Sequence, residues 1–334
     1  MSDFTELIDL ASERLGGAVL YCNDDFFAEK ENLLKPSAPV FIEGKYTDRG
    51  KWMDGWESRR RRTPGFDWCI IRLGLPGRIR GVVVDTSFFR GNYPEQCSLE
   101  ACALDGQPDV EQLTSDSVSW TEILPQSQLQ GDSQNPFAIT SDERFTHLRF
   151  RIFPDGGVAR LRVYGEVAPD WGALARRGEV DLAAAENGAL VLECSDMFFG
   201  HRHNLIMPGR ALDMSDGWET KRRRGPGYDW AIIKLATAGE IRRVEVDTAH
   251  FKGNYPDTCS LEACLVEGDS GESNLSELQW QEILPRTKLQ AHARHFYEEE
   301  LKKVGSVSHV RFNIYPDGGV SRLRLYGTIA GGNL

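Results

Sequence analysis

The sequence predicts an all-β protein made of two tandem antiparallel β-sandwich domains, and three observations carry that prediction. The chain repeats itself once: residues 54–73 and 216–235 share 14 of 20 positions, and residues 84–102 and 246–264 share 14 of 19. Each copy contains short segments in which apolar residues alternate with polar ones and β-branched and aromatic residues are common, as in strands. Clusters of Gly, Pro, Asp and Asn separate these segments like turns. A sandwich and a jelly roll both fit this pattern.

The repeat also sets the predicted domain organisation. The offset between the copies is 160 to 162 residues from position 54 onward and 172 upstream, so the first copy carries about ten extra residues near 45–50. We expect a first domain over residues 19–167, a linker with some helical turn over 168–188, and a second domain over 189–330. The apolar spacing in residues 1–18 predicts a short N-terminal helix.

Composition and charge exclude several classes of function. The 334 residues are 40% hydrophobic and 27% charged, which is typical of a globular chain. The net charge of −11 argues against nucleic acid as the main partner, because such binding depends on a basic surface. No apolar run is long enough to cross a bilayer, and the acidic start does not resemble a signal peptide. The seven cysteines form no CxxC pair, which favours reduced thiols and a cytoplasmic location.

A first candidate site motif is DGWE followed within two residues by a run of four basic residues, and it occurs in both copies. Guanidinium groups match carboxylates bidentately, so this loop can hold an anionic substrate. The alternative is a solvated loop whose bases pair with the excess acid of the chain. The candidate proton-transfer residues are Asp54, Glu57, Asp216 and Glu219, and the candidate cationic anchors are Arg60 and Arg222.

A second motif, VDT followed by GNYP, places polar side chains at the end of an apolar strand, where sandwiches often bind ligands. The copies differ here, because Phe88 is replaced by His250. A histidine in one copy adds a candidate proton-transfer group. A strand cap and turn is the alternative interpretation. The candidate substrate-binding residues are Asp85, Arg90, Asn92, Asp247, Lys252 and Asn254.

Metal and cofactor signals are weak. His201 and His203 lie on one face of an extended segment, but the first copy has Glu29 and Glu31 there, and no third ligand has a recognisable spacing. The PDGGV segment of each copy is a strong turn signal that a hairpin alone explains. No nucleophile or dinucleotide fingerprint stands in a fitting context. We therefore predict no metal ligand and no cofactor, with a divalent metal as an open alternative.

The motifs together resemble those of the allantoicase family. DGWE-x-[RK]RRR, GNYP, CSLEAC, EILP and [FY]PDGGV-x-RLR-x-YG stand in both copies and across nearly the whole chain. The resemblance implies tandem jelly-roll modules of the galactose-binding-like type. It also implies hydrolysis of allantoate to ureidoglycolate and urea in purine degradation, and a homo-oligomer such as a hexamer. It assigns no catalytic role to a particular residue.

The chemistry of allantoate sets what a site must contain. One carbon carries a carboxylate and two ureido groups, so hydrolysis requires a cationic anchor, a proton for the departing nitrogen and a base for water. We expect Arg or Lys to anchor the carboxylate, and Asp, Glu or His to transfer protons. The alternatives are a non-catalytic galactose-binding-like module and an inactive homologue that keeps the fold. Because the copies differ in charged residues, we expect their chemistry to differ too.

Overall fold

A computed structural model describes residues 3–104, 106–266, 275 and 278–330. The chain divides into two compact units, Met1–Ala168 and Pro169–Leu334. Every strand pair in both units is antiparallel within the described residues, and helices are few and short. The predicted all-β fold with an internal duplication is therefore confirmed.

The strands of the first unit, in chain order, are β1 (Ile8–Asp9), β2 (Ala18–Cys22), β3 (Tyr46–Thr47), β4 (Gly50–Lys51), β5 (Trp56–Glu57), β6 (Asp67–Asp85), β7 (Gln96–Cys102), β8 (Thr121–Gln128), β9 (Gln134–Ala138), β10 (Arg144–Phe153), β11 (Gly157–Val158) and β12 (Arg160–Val167). Its helical segments are α1 (Val110–Thr114) and the 3₁₀ turns Phe4–Glu6, Glu13–Leu15 and Lys30–Leu34.

The strands of the second unit are β13 (Val180–Asp181), β14 (Leu190–Cys194), β15 (Trp218–Glu219), β16 (Asp229–Asp247), β17 (Thr258–Cys264), β18 (Gln281–Lys288), β19 (Arg294–Tyr297), β20 (Val307–Tyr315), β21 (Gly319–Val320) and β22 (Arg322–Ile329). Its helical segments are α2 (Trp171–Ala175) and the 3₁₀ turns Ala185–Asn187, Arg202–Ile206 and Met214–Asp216.

One long strand organises each unit. The first half of β6 pairs with β2 and β10, and its second half pairs with β12 and β9. Because β7 joins β10 to β8, and β1 joins β12, these strands form one eight-stranded sheet in the order β1-β12-β6-β10-β7-β8, with β2 and β9 also paired to β6. The two halves of β6 thus belong to two arms of this sheet, a five-stranded arm (β2-β6-β10-β7-β8) and a four-stranded arm (β1-β12-β6-β9), and β16 has the same place in the second unit.

Side chains alternate between two faces along the paired strands of the four-stranded arm, as the period of two in a strand requires. In the second unit the inner positions of β16 and β22 are fully buried: Val244, Val246, Leu323 and Leu325. The positions between them carry charge and lie on the opposite face: Glu245, Asp247, Arg322 and Arg324. This charged face of the sheet forms the wall of the pocket described below.

The start of each repeat differs from the prediction. Instead of one N-terminal helix, the first residues form β1 between two 3₁₀ turns, and β1 pairs with β12. Asp9 stabilises this pairing, because its Oδ1 atom accepts a 2.9 Å hydrogen bond from the backbone N–H of Val163 in β12. The predicted linker likewise contains β13, which pairs with β22, as well as the expected helical turn α2.

No helix among the described residues is long and apolar enough to cross a membrane. The seven cysteines are unpaired, and five of them are buried. Burial raises the pKa of the Cys97 thiol to about 12, so this group stays neutral and packs as an apolar side chain.

Candidate functional site

The three sequence motifs are interlocked within each unit. In the first unit, β5 of the DGWE motif pairs with β11 of the PDGG motif, and the backbone N–H of Gly157 donates to the carbonyl of Asn92 at 2.8 Å. The side chain of Asn92 then donates to Glu57 Oε1 at 2.7 Å. Burial raises the pKa of Glu57, although this hydrogen bond opposes the shift. Asn254 donates to Glu219 in the same way in the second unit. The structure thus brings these four predicted residues together in two equivalent pairs.

Part of the basic loop serves to hold its own unit together. Arg59 Nε lies 2.6 Å from Asp24 Oδ2, and Arg61 Nη1 lies 2.6 Å from Asp67 Oδ1. The predicted anchors Arg60 and Arg222 are exposed, and neither side chain shows a hydrogen bond or ion pair in the described part of the chain. Half of the basic run therefore belongs to the scaffold.

Asp54 is buried in an ion pair with the first residue of β12. Arg160 Nη2 lies 2.7 Å from Asp54 Oδ2, and the Arg160 side chain is only 1% exposed. Burial opposes ionisation of Asp54, but hydrogen bonds from Arg160 and from the backbone N–H of Val40 outweigh it and lower the pKa. Asp54 therefore holds the loop that contains Val40, through a 2.9 Å bond.

The equivalent loop of the second unit, residues 207–212, carries Arg210, which has no counterpart charge in the first unit. Three side chains fix its backbone: Asp216 accepts from Leu212 N at 3.0 Å, His250 Nε2 lies 3.0 Å from Ala211 O, and Arg324 donates to Gly209 O at 2.8 Å. Two of the predicted catalytic residues, Asp216 and His250, thus lie behind a loop that presents an arginine.

His250 has strained backbone geometry that the first unit shares. Its φ is 69°, and Phe88 at the equivalent position has φ 70°, a region that costs energy for residues other than glycine. His292 Nδ1 accepts a 2.7 Å bond from the His250 N–H, and Asp132 Oδ1 does the same for Phe88. Both units therefore stabilise the same turn with different side chains. The sequence prediction did not single out His292 or Asp132, because they lie outside the repeated motifs.

The remaining predicted binding residues lie at the turns. Asp85 and Asp247 are buried, and the Oδ1 atom of each accepts a 2.8 Å bond from the backbone two residues later. Arg90 Nε lies 3.0 Å from Asp132 Oδ2 on an exposed surface. Lys252 is exposed, with no side-chain partner shown in the described residues. Of these residues, only Asp247 lines one of the larger pockets described here.

That pocket, of about 350 Å³, lies on the charged face of the four-stranded arm of the second unit. It is lined by four arginines and four acids: Arg210, Arg294, Arg322, Arg324, Asp181, Glu186, Glu245 and Asp247. Tyr326 and Gly209 complete the wall. Such a site can grip a small molecule that bears both an anionic group and hydrogen-bond donors.

Two of the arginines, Arg210 and Arg294, have side chains that are largely exposed. Arg294 Nε lies 2.6 Å from Glu245 Oε1, and its side chain is 45% exposed. Arg210 Nε lies 3.5 Å from Asp247 Oδ2, and its side chain is 65% exposed. A guanidinium has five N–H donors, so both groups retain donors for a ligand. Burial raises the pKa of Asp181 to about 6, although the nearby Arg324 opposes the shift.

Four of the eight pocket charges are peculiar to the second unit. The first-unit residues at these positions are different: Ala38 for Arg210, Val83 for Glu245, Gln134 for Arg294 and Arg14 for Glu186. The other four pocket charges occur in both units: Asp9/Asp181, Asp85/Asp247, Arg160/Arg322 and Arg162/Arg324. Since the two units share the same strand pairing, the scaffold does not require these four changes. Their convergence on one pocket indicates a function for it.

The described residues contain no group of three or more His, Cys, Asp or Glu side chains arranged to hold a metal ion. The rings of His201 and His203 lie 4.9 Å apart, and the His203 N–H donates to His201 Nδ1 at 3.2 Å. This pair caps the start of a 3₁₀ turn.

Comparison with known proteins decides the family. The allantoicase repeat family matches residues 8–168 and 180–330. The chain belongs to the allantoicase family. A probable allantoicase of Stutzerimonas stutzeri is 52% identical over 328 residues, which is 98% of this chain and 97% of the relative. One of Pseudomonas fluorescens strain Pf0-1 is 50% identical over 329 residues, 98% of each chain. The crystal structure of allantoicase from Saccharomyces cerevisiae is 39% identical, covers 96% of this chain and 92% of that one, and has a TM-score of 0.82.

Membership of this family confirms the predicted resemblance and the duplicated jelly-roll fold. It supports a hydrolase that acts on a small molecule, and it disfavours the non-catalytic ligand-binding module.

Proposed function

We propose that this chain hydrolyses allantoate to ureidoglycolate and urea, and that the reaction takes place in the charged pocket of the second unit. The observation that carries the proposal is the set of four charged residues that the second unit has and the first lacks, all of which line this pocket. The names of the relatives support the substrate, since they are described as allantoicases.

The carboxylate of allantoate is the group that the arginines would hold. Arg210 and Arg294 are the pocket arginines with the most exposed side chains. Guanidinium groups bind carboxylates through paired hydrogen bonds, and such charge-assisted bonds are stronger than neutral ones. The ureido groups of the substrate are rich in N–H donors, and the carboxylates of Glu245 and Asp247 can accept hydrogen bonds from them.

Hydrolysis breaks the bond between the central carbon and one ureido nitrogen, while the oxygen of water bonds to that carbon. The departing nitrogen takes up one proton, and the water loses one, so the net transfer is from water to urea. We assign Asp247 as the base that takes the proton of water. We assign Asp181 as the acid, because a pKa of about 6 leaves a useful protonated fraction near neutral pH.

This proposal changes the roles predicted for several residues. Asp216 and His250 become positioning residues, because both contact the backbone of the loop that carries Arg210. For Asp54, the buried ion pair favours a scaffold role in the first unit. Proton transfer by Glu57 or Glu219, and substrate binding by Arg60, Arg222, Asp85, Arg90, Asn92, Lys252 and Asn254, stay predictions. A homo-oligomer also stays a prediction.

The test is to incubate the purified chain with allantoate and to measure urea and ureidoglycolate. We expect both products from the wild type and a loss of at least about tenfold in kcat/KM for Arg294→Gln, which removes a charge-assisted contact. The matched control is Gln134→Ala at the equivalent position of the first unit, which should keep wild-type activity. No product from the wild type would overturn the activity, and equal activity in Arg294→Gln would overturn the location.

A further inference from the structure

We propose that the first unit contains a second small-molecule site, whose ligand is a small carboxylate bearing a ureido or amide group. The site is a pocket of about 390 Å³ beside the DGWE motif, separate from the pocket of the second unit. The choice of ligand class rests on the proposed function, since it matches allantoate and ureidoglycolate. The existence of the pocket does not rest on the proposed function.

The extra residues of the first copy build one wall of this pocket. They form the β3–β4 hairpin, and Thr47, Asp48 and Arg49 at its tip line the cavity. The facing wall comes from the segment between Phe27 and Lys35, which both units possess. Arg49 ties the hairpin to this wall, because its Nη1 donates to the carbonyl of Phe26 at 3.2 Å. The insertion thus encloses a space instead of forming a free loop.

The pocket presents two cations and two anions that do not pair with one another in the described residues: Lys35, Arg49, Glu29 and Asp48. Lys35 Nζ lies 3.9 Å from Asp54 Oδ1, which is too long for a direct hydrogen bond. Arg49 uses Nη1 for Phe26 and keeps further N–H donors. Charges of both signs that line one cavity without pairing with one another suit a ligand that has a carboxylate for the cations and N–H groups for the anions.

An aromatic side chain gives the cavity a flat wall. Trp52 lines the pocket, and Lys45 Nζ lies 3.7 Å from the centre of its ring. The backbone N–H of Trp52 donates to the carbonyl of Lys45 at 3.1 Å, so the two residues are held together. A planar ureido or amide group can stack against an indole. Tryptophan also gives a fluorescence signal that reports on binding.

The second unit lacks this site. It has no counterpart of the hairpin, and the pocket residues Lys35, Glu29 and Trp52 correspond to Met207, His201 and Met214. Several charges that line each pocket are therefore missing at the equivalent positions of the other unit. On the proposed function, this arrangement gives a catalytic pocket in the second unit and an additional binding pocket in the first.

The test uses hydantoate, which carries one ureido group and one carboxylate on a single carbon and lacks the second ureido group that hydrolysis removes. Isothermal titration calorimetry should count two sites per wild-type chain. The double variant Lys35→Met/Arg49→Gln should keep one site, with the affinity of the first-unit site weakened at least about tenfold. The variant Arg210→Ala/Arg294→Gln should keep the other site. Hydantoate should also change the fluorescence of the wild type, and Trp52→Phe should lose that change.

Controls separate a binding defect from unfolding. Arg78→Gln removes an exposed arginine of the same unit that lies outside the pocket, and it should bind as the wild type does. All variants should stay folded, with a thermal midpoint within about 4 °C of the wild type. If the wild type binds at one site and Arg210→Ala/Arg294→Gln abolishes it, the proposed first-unit site is overturned and the proposed function stays intact. If the wild type binds at one site and Lys35→Met/Arg49→Gln abolishes it, the first-unit site is supported and the location of catalysis is overturned. No binding at all would overturn the ligand class.

Discussion

Arg210 gives the sharpest prediction, because the structure separates its effect on stability from its effect on activity. Its side chain is 65% exposed, and its one ion pair, to Asp247, is long at 3.5 Å. Because Arg210 is exposed and its contact with the buried Asp247 is long, we expect the pair to contribute roughly 0–1 kcal/mol to folding, which corresponds to at most about 2–4 °C in the midpoint of its unit. Arg210→Ala should therefore leave the fold nearly unchanged, and Ala38 shows that the equivalent loop accommodates alanine.

The effect on activity should be much larger. A hydrogen bond to a charged group is worth roughly 1.5–3 kcal/mol, and each 1.4 kcal/mol is a factor of about ten. Arg210→Ala should thus lower kcat/KM for allantoate by about 10- to 150-fold. If the carboxylate contact is equally strong in the ground state and the transition state, the loss appears mainly as a higher KM. The assay is the initial rate of urea release over a range of allantoate concentrations.

Arg242→Ala is the matched control for this prediction. Arg242 lies on β16 of the same unit, its side chain is 57% exposed, and it also makes a 3.5 Å ion pair, with Glu240. It does not line the pocket. We expect unchanged kinetics for this variant. A kcat/KM for Arg210→Ala within twofold of the wild type, or an equal loss in both variants, would refute the assignment of Arg210 as an anchor.

Three further predictions concern the scaffold and its titration. Arg160→Met leaves a buried aspartate without its partner and should lower the free energy of unfolding of the first unit by about 3–5 kcal/mol, measured by urea denaturation; a change below 1 kcal/mol would contradict it. Gly157→Ala should destabilise the same unit by at least about 1–3 kcal/mol, because the added Cβ would lie 1.9 Å from an aromatic ring, whereas Gly91→Ala, with open space around it, should stay near neutral. Asp181 has its pKa raised to about 6, so between about pH 4 and 6 it binds more protons in the folded state than in the unfolded state. The free energy of unfolding of the wild type, measured relative to Asp181→Asn, should therefore fall by up to about 3 kcal/mol as pH rises through that window. A flat difference across the same range of thermal or urea measurements would show that the carboxyl titrates normally.

The sequence predicted the duplicated β fold because long-range pairing follows from local patterns that occur twice. The alternation along β6 and β16 is visible in the sequence, and the repeat fixes the strands on both sides. The predicted N-terminal helix was wrong because a tertiary contact determines the structure of these residues. Apolar spacing in the first residues fits a helix face, but pairing of β1 with the edge of β12, secured by Asp9, outweighs that local preference.

The motifs predicted the interlocked loops but not the pocket. Residues that both copies keep, such as Glu57 and Asn92, meet as expected, because the scaffold of each unit requires the same contacts. The pocket residues lie far apart in sequence, and only the pairing of β16 with β19 and β22 brings Arg294 and Arg324 to one face. Positions where the copies differ in charge were the available signal. The sequence analysis singles out His250 from a difference between the copies, and it misses Arg210, which stands where the first copy has Ala38.

The most direct test of the central claim exchanges the pocket charges for their first-unit counterparts. The variant Arg210→Ala/Glu245→Val/Arg294→Gln gives the second unit three side chains that the first unit already carries at the equivalent positions, so we expect it to fold. Urea release from allantoate is then the one measurement required. We predict that this folded variant releases urea at least about a hundredfold more slowly than the wild type. Release at the wild-type rate would contradict the claim that the second-unit pocket is the active site.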